Sequence, residues 1–295
     1  MLSKIRTDIP LTALWFVIPA VLCTILFIVI FWRKKDLKLW MLYLCLNAIS
    51  LFLEDAIFIF LNSYEYKPGI LKQPYADNAL GAYFSQSYYI TSIALLIAAY
   101  HLRFRWNILF TAMFVGIEYL FLFLGIYKLN WWHPAYTAVG LVIYFAISKK
   151  WYNYLLHPSS RLVRFFTLFC INYGNYAVIA ALPVIFEAYR LAGGWFADPV
   201  RDTIAVIIVI LLTRSSVIAV VCFCSLHWII KAFVPVLLFV GYLVLIQLHI
   251  FIISSFWILV LFSSADIWTL LFCCYFNRKL LQSEIRKTAG ERLRF

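Results

Sequence analysis

Long apolar stretches recur along the whole chain, and they constrain its fold more than any other feature of the sequence. Most contain about the 20 residues that an α-helix needs to cross a hydrocarbon core about 30 Å thick. The stretches are continuous, whereas the strands of a transmembrane barrel alternate apolar and polar residues. With 65% hydrophobic and 13% charged residues, the chain also has too little polar surface to be covered by water. The sequence therefore predicts an all-α, polytopic transmembrane helical bundle.

We predict about nine spans. They cover residues 10–32, 39–62, 79–99, 107–126, 134–148, 165–188, 203–226, 229–248 and 252–276. Few polar residues separate the last two, which are therefore either two spans joined by a tight turn or one span and a re-entrant segment. The predicted organisation is a five-span part (1–164), a four-span part (165–276) and a basic cytoplasmic tail (277–295).

Lys and Arg residues are distributed unevenly between the two sides of this predicted topology. Seventeen lie in the loops and tail of one side, seven lie on the other side, and Arg214 lies within a span. Because positively charged loops stay in the cytoplasm, the N-terminus is predicted on the outer side of the cell membrane and the C-terminus on the cytoplasmic side. This asymmetry also accounts for the net charge of +12, so the lipid bilayer, and not a nucleic acid, is the expected partner.

Three predicted spans carry polar residues at a similar depth. Glu54, Gln86 and Glu118 each lie seven or eight residues from the outer end of their spans, which is roughly 10–12 Å at 1.5 Å per residue. Asp55 follows Glu54 and points about 100° away around the helix. Ionisable residues within a membrane are costly and usually face the interior of the bundle.

Two interpretations of this polar layer stay open. In the first, Glu54, Asp55, Gln86 and Glu118 bind a small polar or cationic solute in a cavity that opens outward, and the protein is a transporter or permease. In the second, the layer joins helices by hydrogen bonds, and the protein is a scaffold, an assembly partner or a sensor. No internal repeat is evident in the sequence, which weakens the interpretation as a secondary transporter built from inverted repeats.

Arg214 and Asp266 lie in two later predicted spans, near or below the middle of the membrane. An arginine at this depth needs a partner, so we predict a structural ion pair, with a gating or coupling element as the alternative. The sequence lacks the zinc-protease, serine-hydrolase and phosphate-loop motifs. We therefore predict no catalytic residue, metal ligand or cofactor.

Several short motifs within residues 39–151 are similar to those of a known family. They are Tyr66-x-Pro68, Gly81 with Ser85-Gln86, Ile117-Glu118, Leu124-Gly125-Ile126-Tyr127, Trp131-Trp132, Tyr136-Thr137 and Lys149-Lys150-Trp151. Together they resemble an uncharacterised family of multi-pass membrane proteins from Gram-positive, spore-forming bacteria. The resemblance implies about five spans for this part of the chain and a division near residue 164, and it implies no particular activity.

Overall fold

The computed structural model of the protein describes residues 4–157 and 160–292, with side chains through residue 282. This part of the chain forms nine helices. They are α1 (Leu11–Lys34), α2 (Leu37–Phe60), α3 (74–99), α4 (Phe104–Phe123), α5 (Pro134–Leu156), α6 (Arg161–Ile185), α7 (Pro199–Phe223), α8 (Trp228–Gln247) and α9 (Phe256–Arg292). Four strands of three residues each lie between them.

Seven of the helices in the described part of the chain are long and apolar enough to cross a membrane. The other two are α3, which carries a polar segment around Gln86, and α5, which includes Lys149 and Lys150. The prediction of a membrane-spanning helical protein is therefore confirmed. The number of spans and the orientation of the termini stay predictions.

The C-terminal region contains a strand between the last two predicted spans. Residues 251–253 form a strand between α8 and α9, so the last two predicted spans are separate helices. Helix α9 continues through the start of the predicted basic tail as far as Arg292. The tail side chains beyond residue 282, and residues 293–295 altogether, lie outside the described residues.

The chain consists of two compact units, Met1–Tyr152 and Asn153–Phe295. In unit 1, strand β1 (Tyr64–Tyr66) follows α2 and pairs antiparallel with β2 (Tyr127–Leu129), which follows α4. In unit 2, strand β3 (Tyr189–Leu191) follows α6 and pairs antiparallel with β4 (Phe251–Ile253), which follows α8. Each unit thus contains four helices in the same order, with a strand after the first and after the third. Unit 1 has α1 in addition.

A buried aspartate fixes the connection between a strand and the next helix in both units. In unit 1, the Asp77 carboxylate accepts hydrogen bonds from the backbone N–H groups of the loop after β1, each 2.8 Å long. In unit 2, Asp202 accepts four such bonds, of 2.7–3.2 Å, from the loop after β3. Both aspartates lie three residues after a proline that begins the helix, Pro74 or Pro199. The two loops are therefore held by the same arrangement, an aspartate carboxylate that accepts hydrogen bonds from loop N–H groups.

Left-handed backbone conformations also recur at matching helix ends. Asn62 and Glu187 follow the first helix of their units, and both have positive φ. His101 and Ser225 follow the second helix, and Gly125 and His249 follow the third. The two units are therefore a structural repeat, in contrast to the expectation from sequence. Sequence inspection missed it because these positions share a backbone conformation and not a residue type.

Substitution of Asp202 tests how much these hydrogen bonds to loop N–H groups stabilise the protein. Asp202→Ala is expected to lower the free energy of unfolding by about 1.5–3 kcal/mol, because four backbone N–H groups lose a charged acceptor. Asp198→Ala removes the helix N-cap two residues after Phe196, the last of these donors, and is expected to cost only about 1 kcal/mol. Denaturant titration in detergent measures both variants. Equal stability losses would contradict the special role of Asp202.

Candidate functional site

A cavity of about 430 Å³ lies within unit 1. Its walls come from α1 to α5 and from both strands of the unit, and they are largely apolar and aromatic. Glu54, Gln86 and Glu118 all line it, so the structure brings together three of the four residues predicted from sequence. No Lys, Arg or His occurs among the lining residues that the structure describes. The carboxyl groups of Glu54 and Glu118 are therefore the only carboxylic acids among these described lining residues, and no basic side chain accompanies them.

Glu118 is the lining residue with the largest unmet hydrogen-bonding capacity. It belongs to α4 and is only 8% exposed. The Thr137 side chain on α5 lies near its carboxyl group, but neither carboxylate oxygen has a described partner within hydrogen-bond geometry. A buried, ionised carboxylate without a partner is strongly unfavourable. Glu118 is therefore either protonated or paired with a cation that enters the cavity.

Glu54 is partly satisfied by the protein itself. The hydroxyl of Tyr64 in β1 donates a hydrogen bond to Glu54 Oε2, while Glu54 Oε1 has no partner among the described residues. Gln86 is also engaged, since its side-chain oxygen accepts a 3.0 Å hydrogen bond from Ser50 on α2. These two contacts join α2 to β1 and to α3. They agree with the second interpretation of the polar layer, in which hydrogen bonds join helices. Neither oxygen of Glu118 makes a comparable hydrogen bond to a described residue.

The helices that carry Glu54 and Gln86 are locally widened. Residues 55–60 of α2 and 84–90 of α3 form π-helical turns, in which each N–H bonds five residues back along the chain. Such turns are rare and occur frequently at functional sites. Glu54 lies directly before the first π-helical segment and Gln86 lies within the second. The sequence gives no signal for either turn.

Asp55 does not line the cavity, although the sequence grouped it with the site. It is the first residue of the π-helical turn and is half-buried. Its side chain leaves the helix in a different direction from that of Glu54 because adjacent residues diverge around a helix axis. Asp55 therefore serves as a natural comparison for the two glutamates.

A cluster of tyrosines packs at one end of the cavity. Tyr64 and Tyr66 of β1 pack against Tyr127 of β2, with ring centroids 5.4 and 4.7 Å from the Tyr127 ring, and Trp132 packs against Tyr64. Burial raises the pKa of all three tyrosines, so the hydroxyl of Tyr64 stays protonated and remains a donor to Glu54. Strand β1 therefore packs beside the site.

Glycine at position 81 permits this packing. A Cβ atom on Gly81 of α3 would lie 2.5 Å from Cβ of Tyr66, closer than packed carbon atoms approach. The absence of a side chain lets β1 lie directly against α3. Sequence analysis missed the tyrosines as site residues because alternate aromatic residues in a short loop resemble an ordinary interfacial segment.

Unit 2 contains the second predicted polar pair. Arg214 Nε donates to Asp266 Oδ1, and both side chains are almost fully buried. Asp266 also accepts a 2.9 Å hydrogen bond from Tyr242, and the Arg214 guanidinium lies 3.9 Å from the ring centre of Tyr176. The structure therefore joins the two residues that the sequence paired. Both Arg214 Nη atoms lack a partner among the described residues, so the pair is not fully satisfied.

Matching helix positions in the two units carry different side chains. Counted from the first residue of the helix, Glu118 corresponds to Tyr242, Tyr144 to Asp266, and Tyr89 to Arg214. The clearest contrast is Gly140 on α5, which corresponds to Phe262 on α9. Gly140 lines the cavity with open space where a Cβ would stand.

Phe262 fills the equivalent space in unit 2. It is buried, and its ring packs against Tyr176, Tyr189, Tyr242 and Phe251, with centroids 5.0–6.1 Å apart. The same order of helices and strands thus surrounds an open cavity with two carboxyl groups in unit 1. In unit 2 it surrounds an ion pair with aromatic rings packed beside it.

The fold and the buried polar sites together define a helical integral membrane protein. Comparison with protein-family models, with curated proteins and with solved structures finds no match. Among the described residues, no group of three or more His, Cys, Asp or Glu side chains is close enough to hold a metal ion. The chemistry of the unit 1 cavity therefore carries the functional inference.

Proposed function

We propose that the protein is a transporter or permease of the cell membrane that binds a small cationic solute in the cavity of unit 1. The observation that carries this proposal is Glu118, a buried carboxyl group with two unpartnered oxygens in a cavity whose described lining has no basic residue. A cationic ligand supplies the counter-charge that the protein lacks at this position.

The aromatic lining supports an organic cation in preference to a bare metal ion. Phe114, Phe121, Tyr127 and Trp132 line the same cavity as Glu118. The faces of aromatic rings attract organic cations, with a gain of about 2 kcal/mol when the site is desolvated. An ammonium group therefore finds both a carboxylate and ring faces here.

Substitution of Glu118 by Gln tests the proposal. The variant is expected to bind benzylammonium about tenfold to 100-fold more weakly than the native protein, since a hydrogen bond to a charged group contributes about 1.5–3 kcal/mol. Binding of benzyl alcohol, a neutral compound of similar size, is expected to change little. Calorimetric titration of protein in lipid nanodiscs measures both affinities, and thermal melting checks that the fold is retained.

Asp55→Asn is the matched control because it removes a carboxylate adjacent to Glu54 but outside the lining of the cavity. Its affinity for benzylammonium is expected to equal that of the native protein. If Glu118→Gln binds the cation as well as the native protein does, the site does not exist. Uptake of labelled benzylammonium into proteoliposomes then tests transport, and binding without uptake would favour the alternative of a sensor.

A further inference from the structure

We infer that the ligand of unit 1 is an amphipathic cation, with an ammonium head group and an apolar chain, and that it reaches the cavity from within the bilayer. This inference rests on the proposed function and extends it by naming the ligand class and the access route. It differs from the sequence prediction of a cavity that opens outward to water.

The tyrosine cluster covers most of the end of the cavity nearest to the strands, where Tyr136 in the first turn of α5 is 53% exposed. The tyrosine cluster of β1 and β2 packs there, and Trp131 Nε1 and Asn130 Nδ2 donate hydrogen bonds of 2.8 and 2.9 Å to the backbone at Leu61 and Asn62. These bonds tie the chain after β2 to the end of α2. This packed layer narrows the path of a polar solute from water to Glu118.

The rim of the cavity instead contains exposed apolar side chains within the helices. Leu22 of α1 and Leu53 of α2 line the cavity and are more than half exposed, and Met113 of α4 is 41% exposed. Leu22 and Met113 lie at the midpoints of their membrane-spanning helices. The midpoint of a spanning helix lies in the hydrocarbon core, so an opening at these residues faces lipid chains and not water.

The cavity is also long enough for a chain beside the head group. On α4 its lining extends from Met113 to Phe121, and on α5 from Tyr136 to Tyr144, which is about 12 Å along each helix. Glu118 lies toward the strand end of this length, and apolar residues such as Leu26 and Ile93 occupy other parts of the wall. When the ammonium head group of a ligand lies at Glu118, the apolar remainder of the cavity can hold its alkyl chain as far as the rim.

Three probes separate the ligand class from the proposed function. Dodecylammonium, methylammonium and dodecanol are titrated into nanodiscs that contain the native protein or Glu118→Gln, and the heat from empty nanodiscs is subtracted. Dodecylammonium is expected to bind saturably and to lose about tenfold or more in affinity in Glu118→Gln. Methylammonium, at equal concentration, and dodecanol are expected to show at least about tenfold weaker binding.

The outcomes are distinguishable. If methylammonium binds as tightly as dodecylammonium and depends on Glu118, the proposed cation site stands and the amphipathic ligand is wrong. If no ammonium probe depends on Glu118, or if dodecanol binds as well as dodecylammonium, the cation site itself is wrong.

Tryptophan at the rim tests the access route. Met113→Trp is expected to slow the association of dodecylammonium, measured by stopped-flow fluorescence, because the larger side chain narrows the opening. The equilibrium affinity is expected to fall by less than the association rate. Ile108→Trp, at an exposed position of α4 that does not line the cavity, is expected to leave the rate unchanged. Equal rates in the two variants would overturn access from the bilayer at Met113.

Discussion

Replacement of Asp266 by Ala is expected to destabilise the protein by about 3–5 kcal/mol, the largest loss of stability that we predict for a single substitution. The reason is the arginine that remains. Arg214 is 2% exposed, and Asp266 is its only salt-bridge partner among the described residues. Without Asp266 its charge stays buried in an apolar surrounding with only the Tyr176 ring beside it. Denaturant titration in detergent measures the loss.

The double variant Arg214→Met with Asp266→Leu separates the cost of an unpaired charge from the value of the pair. It is expected to be as stable as the native protein or more stable, because burying two charges costs about as much as their attraction returns. If the double variant is as unstable as Asp266→Ala, the ion pair itself holds unit 2 together. A stable double variant that has lost transport would instead favour the gating or coupling alternative.

Gly140→Phe is expected to abolish most ligand binding by unit 1. The corresponding residue of unit 2, Phe262, packs its ring among four other aromatic residues, and a ring at Gly140 is expected to enter the cavity in the same way. A ligand then has to displace a buried ring, which costs about 1.5–3 kcal/mol. This corresponds to a loss of about tenfold to 100-fold in affinity for benzylammonium.

Gly116→Phe is the matched control for this substitution. Gly116 also has open space around its Cβ position and is exposed, as Gly140 is, but it does not line the cavity. Both variants replace a helical glycine with the same residue, so they share the same change in helix propensity. Native affinity in Gly140→Phe, with a retained fold, would show that the cavity is not the binding site.

Much of the candidate site follows from sequence because membrane depth can be counted along a helix. Glu54, Gln86 and Glu118 share a depth by residue count, and the structure places all three on one cavity. Residue counting gives the angle between side chains, about 100° per residue in a regular α-helix, but not which side of the helix faces the cavity. The π-helical turns also change that angle. This is why Asp55 was grouped with the site and does not line it.

The sequence by itself determined the class of protein, because continuous apolar stretches of helical length can be satisfied only in a bilayer. It also identified Arg214 and Asp266 as partners, because a charge within a membrane needs an opposite charge. Only the tertiary structure decided which buried groups stay unpaired. Hydrogen bonds from Tyr64 and Ser50 engage Glu54 and Gln86, whereas neither Glu118 oxygen has a partner within hydrogen-bond geometry in the described part of the chain. Contacts between distant segments are fixed by packing and not by local pattern. The structural repeat likewise depends on the helix and strand bounds, which only the structure provides. The contrast between Gly140 and Phe262 follows from counting residues from those bounds.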